Sequence, residues 1–137
     1  MNKKTIFIVA FSVVLLAFYL FSKTIGTTTH RPQQRVEIEI HSLSSAIKMY
    51  KLDNGQYPDT EQGLNALVER PSNGNIPSNW RSGGYLDSSD QLIDPWGIKY
   101  YYACPGRNGD FEIYSFGSDQ KPGGKGYAKD VYSWEME

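Results

Sequence analysis

The sequence has few of the residues from which metal centres and catalytic sites are usually built. It contains one cysteine, Cys104, and two histidines, His30 and His41. A single cysteine excludes an internal disulfide bond and a cysteine-clustered zinc site, and two histidines exclude a multi-histidine site. The sequence also lacks a Gly-x-Ser-x-Gly nucleophile elbow and a phosphate-binding Gly-x-x-x-x-Gly-Lys loop. These absences argue against an enzyme.

An excess of charge of either sign is missing as well. The 14 basic and 15 acidic residues give a formal net charge of -1, which provides no field for gripping nucleic-acid phosphates. The nearest approach to a catalytic carboxylate cluster is Asp87, Asp90 and Asp94. Paired carboxylates can perform acid–base chemistry, but in a stretch rich in turn residues we interpret these three as solvated turn residues.

An uncharged apolar segment occupies the N-terminal part of the chain. The 18 residues 5–22 carry no charge, a length that can cross a bilayer core as a helix. Lys3 and Lys4 precede the segment and Lys23 follows it, which favours a cytoplasmic N-terminus. We predict an uncleaved, single-pass anchor in the inner membrane (residues 1–23), a hinge (24–34) and a globular domain in the periplasm (35–137). A cleaved signal peptide is the alternative.

The remaining residues predict one α+β domain. Apolar residues recur at helical spacing on one face of a segment that should end near Asn54-Gly55, namely Val36, Ile40, Leu43, Ile47 and Tyr50. Thr60 is predicted to cap a short helix that buries Leu64, Leu67 and Val68. Two aromatic segments, 99–104 and 111–116, predict a hairpin, and 130–134 a last short strand. Cys104 should act as a small hydrophobe there.

Two tryptophans outside these segments are predicted to stabilise the domain. Trp80 lies in a long loop, 72–84, and should anchor that loop on the core. Trp96 follows Asp94-Pro95 and precedes Gly97, a pattern typical of a turn. We expect this turn to lead into the hairpin, with the Trp96 indole buried against the helix.

The glycine-rich segment after the hairpin could hold a hard cation. Asp119 and Asp130 bracket residues 120–129, and calcium binds carboxylates together with inward-turned backbone carbonyls. The spacing is not that of an EF-hand, so an ordinary turn with two solvated aspartates is the alternative.

The sequence as a whole resembles a known family, the major pseudopilins of type II secretion systems. The resemblance covers about residues 35–134 and rests on short motifs in order along the chain. These are residues 50–58, 60–64, 66–68, 84–86, 94–97, 105–106 and 113–117, with Gly109, Asp119, Asp130, Val131 and Trp134.

The resemblance implies a fold, a role and a ligand. The fold is a long N-terminal helix, membrane-embedded in its first half and amphipathic in its second, packed on a small antiparallel β-sheet. The role is that of a non-enzymatic subunit that works with other pseudopilins and inner-membrane secretion components. The ligand is calcium, for which Asp119 and Asp130 match carboxylate positions and Phe116 matches a residue that donates a backbone carbonyl.

The N-terminus differs from the family pattern. Family precursors have a Gly-Phe cleavage junction and a glutamate five residues into the mature chain, whereas Phe7 follows Ile6 and the apolar segment contains no glutamate. A carboxylate inside a membrane is costly and is kept where it has a partner. The chain is therefore interpreted either as a self-assembling secretion subunit or as a non-polymerising, membrane-tethered module of the same fold that regulates or caps assembly.

Overall fold

The computed structural model describes residues 32–136, which form a long helix packed on a three-stranded sheet. Helix α1 covers Pro32–Asn54. The strands are β1 (Tyr101–Ala103), β2 (Glu112–Ser115) and β3 (Val131–Tyr132), and the chain between these elements forms loops with short 3-10 turns and one isolated β-bridge, Ile93 to Lys99. This architecture confirms the predicted α+β fold for the described residues.

Helix α1 supplies more of the hydrophobic core than any other element. All five residues of the predicted stripe are at most 1% exposed, and Ala46 joins them. The described chain is helical from its first residue, Pro32, so the prediction that residues 32–34 belong to a hinge was wrong; proline is tolerated in the first turn of a helix. The predicted end is confirmed, because Gly55 has a φ of +79° and its N–H donates to the Lys51 carbonyl at 2.7 Å.

The turn after the helix is capped by a residue other than the predicted one. Asp59 Oδ1 accepts the Gln62 N–H at 2.8 Å, and the Asp59 N–H donates to Gln62 Oε1 at 3.1 Å. This reciprocal pair is a capping box, so the prediction of Thr60 as the cap was wrong. Leu64 and Leu67 are buried as predicted, in a 3-10 turn, whereas Val68 is only half-buried.

Thr60 instead pairs with the end of strand β1. Its hydroxyl accepts the Cys104 N–H at 3.0 Å and donates to the Cys104 carbonyl at 3.1 Å. The Cys104 side chain is half-buried, and its Sγ lies 3.4 Å from the Asp110 carbonyl oxygen. Because β1 ends at Ala103, Cys104 directly follows the strand and does not lie within it.

The sheet is antiparallel, with β2 between β1 and β3. Tyr101 pairs with Tyr114, and Tyr114 in turn pairs with Tyr132 across the second ladder. Because successive residues of a strand point to opposite faces, Ile113 and Ser115 are buried towards α1 while Tyr114 lies on the outer face. The predicted hairpin and the predicted last strand are both confirmed.

A buried carboxylate holds the turn that leads into the sheet. Asp94 is 4% exposed, and its Oδ1 accepts the N–H groups of Trp96 at 3.0 Å and Ile98 at 2.9 Å. Its Oδ2 accepts the Ser115 hydroxyl at 2.7 Å. The prediction that Asp94 is a solvated turn residue was therefore wrong, although Asp87 and Asp90 are exposed as expected.

The two tryptophans differ in their packing. Trp80 anchors its loop as predicted, since its ring packs on the core and its Nε1–H donates to the Ala66 carbonyl at 2.8 Å. Trp96 is only half-buried at the border of the core, because the turn is held by the Asp94 carboxylate and not by the indole. The prediction that Trp96 is buried was wrong.

The predicted anchor, residues 1–23, and the predicted hinge up to residue 31 lie outside the described residues. Within residues 32–136, no helix combines the length and the apolar character that a membrane span requires.

Replacing Asp94 with alanine should destabilise the protein strongly. Asp94→Ala removes the acceptor of three hydrogen bonds, two of which come from backbone N–H groups, and we expect the free energy of unfolding to fall by about 3 kcal/mol. Urea unfolding measures this change. Asp90→Ala, at an exposed position of the same region, should stay within about 0.5 kcal/mol of the wild type. Equal losses in the two variants would contradict the assignment.

Candidate functional site

The glycine-rich segment after β2 is a compact loop with two 3-10 turns. The turns are Gly117–Asp119 and Gly126–Ala128, and they pack against each other. A Cβ atom at Gly117 would lie 2.8 Å from the Tyr127 carbonyl oxygen, and one at Gly124 would lie 2.3 Å from that of Ala128. The close packing of the two turns therefore depends on glycine at both positions.

The buried carboxylate of Asp130 stabilises this loop through hydrogen bonds. It is 7% exposed, and its Oδ2 accepts the Gly123 N–H at 2.9 Å and the Tyr132 hydroxyl at 2.7 Å. Burial, together with this hydrogen bond to the carboxylate, raises the pKa of Tyr132 to about 12. The other oxygen, Asp130 Oδ1, is buried and accepts no hydrogen bond from the described residues. One buried carboxylate oxygen is therefore available to a further ligand.

The other two predicted calcium ligands have different surroundings. Asp119 is exposed, and its Oδ1 accepts the Lys121 N–H at 3.2 Å. Phe116 directly precedes the first 3-10 turn, and its half-buried ring contacts those of Tyr101 and Tyr114 at centroid distances of 5.0 Å. The loop thus carries one buried and one exposed carboxylate at its two ends.

This donor set fits a hard cation in part. Calcium prefers several oxygen ligands, and the unpartnered oxygen of Asp130 is such a ligand. Residues 32–136 contain no group of three or more His, Cys, Asp or Glu side chains that could hold a metal ion. Any further protein ligands would therefore have to include backbone carbonyls, and calcium binding stays a prediction.

A side chain of α1 fastens the loop to the helix. Gln33 Nε2 donates to the Lys129 carbonyl at 2.9 Å and to the Tyr127 carbonyl at 3.4 Å. The second 3-10 turn also packs directly on α1. The loop therefore lies beside the first turn of the described helix.

The outer face of the sheet carries a continuous row of aromatic rings. Tyr101 and Tyr114 are stacked, with centroids 4.9 Å apart and planes within 7°. Tyr132 lies 5.6 Å from Tyr114 and stacks on Trp134 at 4.4 Å. The rings contact one another across all three strands, so part of their apolar surface is already covered by contacts within the row.

The outward face of α1 carries a second apolar stripe. Ile38, Met49 and Leu52 are exposed, Leu52 by 83% of its surface. With the exposed serines Ser42 and Ser45 they follow spacings of four, three, four and three, the same rhythm as the core stripe displaced by two residues. Two residues turn a helix by about 200°, so this stripe lies opposite the core.

The sequence reasoning missed two residues that hold the candidate loop, Gln33 and Tyr132. A signal existed for Tyr132, because it follows Asp130 by two residues in a strand-like segment and such residues share a face. No local pattern connects Gln33 to a loop more than 90 residues away.

Comparisons with known proteins agree on one family. Residues 23–134 match the family described as "Type II secretion system (T2SS), protein G". The type II secretion system core protein G of Vibrio cholerae is 38% identical over 123 residues, which cover 90% of this chain and 82% of that protein. The protein of the same name from Escherichia coli K12 is 33% identical over 96% of this chain and 87% of that protein.

A solved structure agrees with the sequence comparisons. The crystal structure of the major pseudopilin from the type 2 secretion system of enterohaemorrhagic Escherichia coli superposes with a TM-score of 0.67 at 37% identity. The match covers 81% of this chain and 93% of that one. Members of this family are structural pseudopilins and not enzymes, which confirms the non-enzymatic prediction. The chain belongs to the protein G family of type II secretion systems, the major pseudopilins.

Proposed function

We propose that this chain is a membrane-anchored structural subunit that assembles with neighbouring pseudopilin domains through the outward face of α1. The observation that carries the proposal is the exposed stripe of Ile38, Met49 and Leu52 opposite the core. Large apolar side chains aligned on one exposed face are typical of a surface that another protein covers. The serines between them are small enough to let a second helix approach closely.

The membrane anchor and its orientation are part of the proposal. The uncharged segment 5–22 is long enough to span a bilayer, and the lysines around it favour a cytoplasmic N-terminus. The globular domain would then lie in the periplasm. Tethering every subunit to one membrane raises its local concentration near its neighbours, which favours even a weak helix-to-helix contact.

The alternative is a tethered module that caps or regulates assembly without polymerising. The N-terminal differences from the family favour it, because the apolar segment lacks the glutamate expected to pair with a neighbouring subunit. The two functions make different demands on the α1 stripe. A polymerising subunit needs the stripe for contacts between its own copies, whereas a capping module needs one foreign partner.

Substitutions in the stripe should test assembly directly. Ile38→Asp and Leu52→Asp place a charge on the proposed contact surface, and we expect each to reduce chemically cross-linked oligomers in membranes at least tenfold. Ser72→Asp, on an exposed loop outside α1, is the matched control and should leave the oligomers unchanged. Cross-linked products that are absent already in the wild type would favour the capping module.

The mature N-terminus tests the anchor. The missing cleavage junction predicts that the membrane-extracted chain retains its N-terminal residues, which intact-mass measurement detects. Protease added from the periplasmic side should degrade the globular domain and spare the apolar segment. A mass that lacks the first several residues would contradict the uncleaved anchor, and a protected globular domain would contradict the orientation.

We also propose that calcium binds at the loop between β2 and β3. The unpartnered Asp130 Oδ1, the Asp119 carboxylate and the Phe116 carbonyl would hold it. A bound divalent cation neutralises carboxylate charge and joins chain segments that are distant in sequence. Asp130 would then link the end of the loop to its beginning, while the lysines at 121, 125 and 129 weaken the affinity by repulsion.

Calcium should stabilise the folded chain if this proposal is right. A ligand that binds only the folded state at 100 times its Kd adds about 2.7 kcal/mol to the free energy of unfolding. Millimolar calcium should therefore raise the melting temperature, and EDTA should lower it. Asp119→Ala should abolish the shift, whereas Asp87→Ala, at another exposed aspartate, should preserve it. A wild-type melting temperature that does not respond to calcium would disprove the site.

A further inference from the structure

The loop between β2 and β3 exposes an excess of positive charge. Lys121, Lys125 and Lys129 are all exposed within nine residues. Of the two acidic residues in the loop, Asp119 is exposed while Asp130 is buried. The solvent-facing side chains of the loop therefore carry three positive charges against one negative charge. Among them, Tyr127 exposes 57% of its surface.

The position of the loop in the fold brings these charges to one end of the domain. The bonds from Gln33 fasten residues 127 and 129 to the first turn of α1. Nine residues, 23–31, connect the apolar segment to α1, and even fully extended they span only about 30 Å. Helix α1 is 23 residues long, so its opposite end is about 35 Å away. The loop is therefore at the end of the domain nearest the proposed anchor.

Charged residues before α1 and on its first turns add to the excess of positive charge. The connecting residues 23–31 include Lys23 and Arg31 and no acidic residue. On the first turns of α1, Arg35 pairs with Glu39 at 2.7 Å, so these two charges compensate each other. Glu37 is an exposed acidic residue on the same turns. The net charge at this end of the domain is therefore positive.

We propose that the loop between β2 and β3 docks on an anionic lipid surface, with its three lysines on headgroup phosphates and Tyr127 at the interface. This inference rests on the proposed membrane anchor. Each lysine close to an anionic membrane strengthens the attraction about fivefold, so three lysines together strengthen the attraction of an already tethered domain about a hundredfold. The tyrosine suits the boundary, since its ring is apolar and its hydroxyl is polar.

Docking would fix the orientation of α1 relative to the membrane before any neighbour binds. Because Gln33 joins the loop to the helix, a loop held on the headgroups also holds the first turn of α1. The stripe of Ile38, Met49 and Leu52 would then face along the membrane plane in a restricted direction.

Headgroup quenching of a fluorophore on the full-length chain tests the proposal. In a Cys104→Ser background, Ser118→Cys places a label on the loop and Ser72→Cys places one on an exposed loop outside it. The chain is reconstituted with EDTA into vesicles of phosphatidylcholine, with or without phosphatidylglycerol, that carry a headgroup nitroxide. We expect quenching at residue 118 to rise at least twofold with phosphatidylglycerol and at residue 72 to stay constant.

Charge variants test whether the three lysines cause the increase in quenching at residue 118. Replacing all three lysines with glutamine, or adding 1 M salt, should remove the increase, while replacing them with arginine should preserve it. Lys99→Gln, at an exposed lysine outside the loop, is the matched control and should have no effect. Equal quenching at residue 118 in both lipid mixtures would overturn the proposal. A label that responds to protein density but not to phosphatidylglycerol would also overturn it and would identify a second copy as the occupant.

Flotation of the same samples separates this proposal from the anchor on which it rests. A chain that does not float with vesicles of either composition would overturn both the anchor and the docking. A chain that floats with both, but whose label at residue 118 ignores phosphatidylglycerol, would overturn the docking alone.

Discussion

The buried Asp94 carboxylate is the interaction on which the arrangement of this domain depends. Its two oxygens join two separate segments, because they accept hydrogen bonds from the turn at residues 96–98 and from Ser115 on the central strand. The Ser115 hydroxyl in turn accepts the Gly117 N–H at 3.2 Å, which begins the glycine-rich loop. A buried carboxylate without hydrogen-bond partners would be costly. The fold is therefore restricted to arrangements in which Asp94 accepts these hydrogen bonds.

Helix α1 combines two roles on opposite faces. One face contributes the largest part of a small core, and burial of each large side chain there is worth about 1.5–3 kcal/mol. The opposite face leaves Ile38, Met49 and Leu52 in solvent. A three-stranded sheet can cover only one side of a helix, so the fold itself leaves the second stripe in solvent.

The sequence predicted best those features that depend on local periodicity. The core stripe of α1, its end at Gly55 and the hairpin follow from spacing and turn residues, and all are confirmed. Asp94 was predicted wrongly because an aspartate before Pro-Trp-Gly resembles any polar turn, and its buried partner Ser115 is 21 residues away. The prediction that Thr60 caps a short helix was wrong for a similar reason, since its partner Cys104 is 44 residues away. In the candidate loop, the residue types indicated a cation site, but the burial of Asp130 and the bond from Gln33 arise only in the folded chain.

The pairing of Thr60 with Cys104 has a consequence for how copies of this protein meet. Strand β1 lies at the edge of the sheet, where free N–H and C=O groups could recruit a strand from another molecule. The Thr60 hydroxyl occupies both backbone groups of Cys104, and the Tyr100 N–H at the other end of β1 donates to the Leu92 carbonyl at 3.0 Å. Both ends of the edge are thus closed to further strands. Copies of this protein are therefore hindered from joining strand to strand through β1, one of the two edges of the sheet.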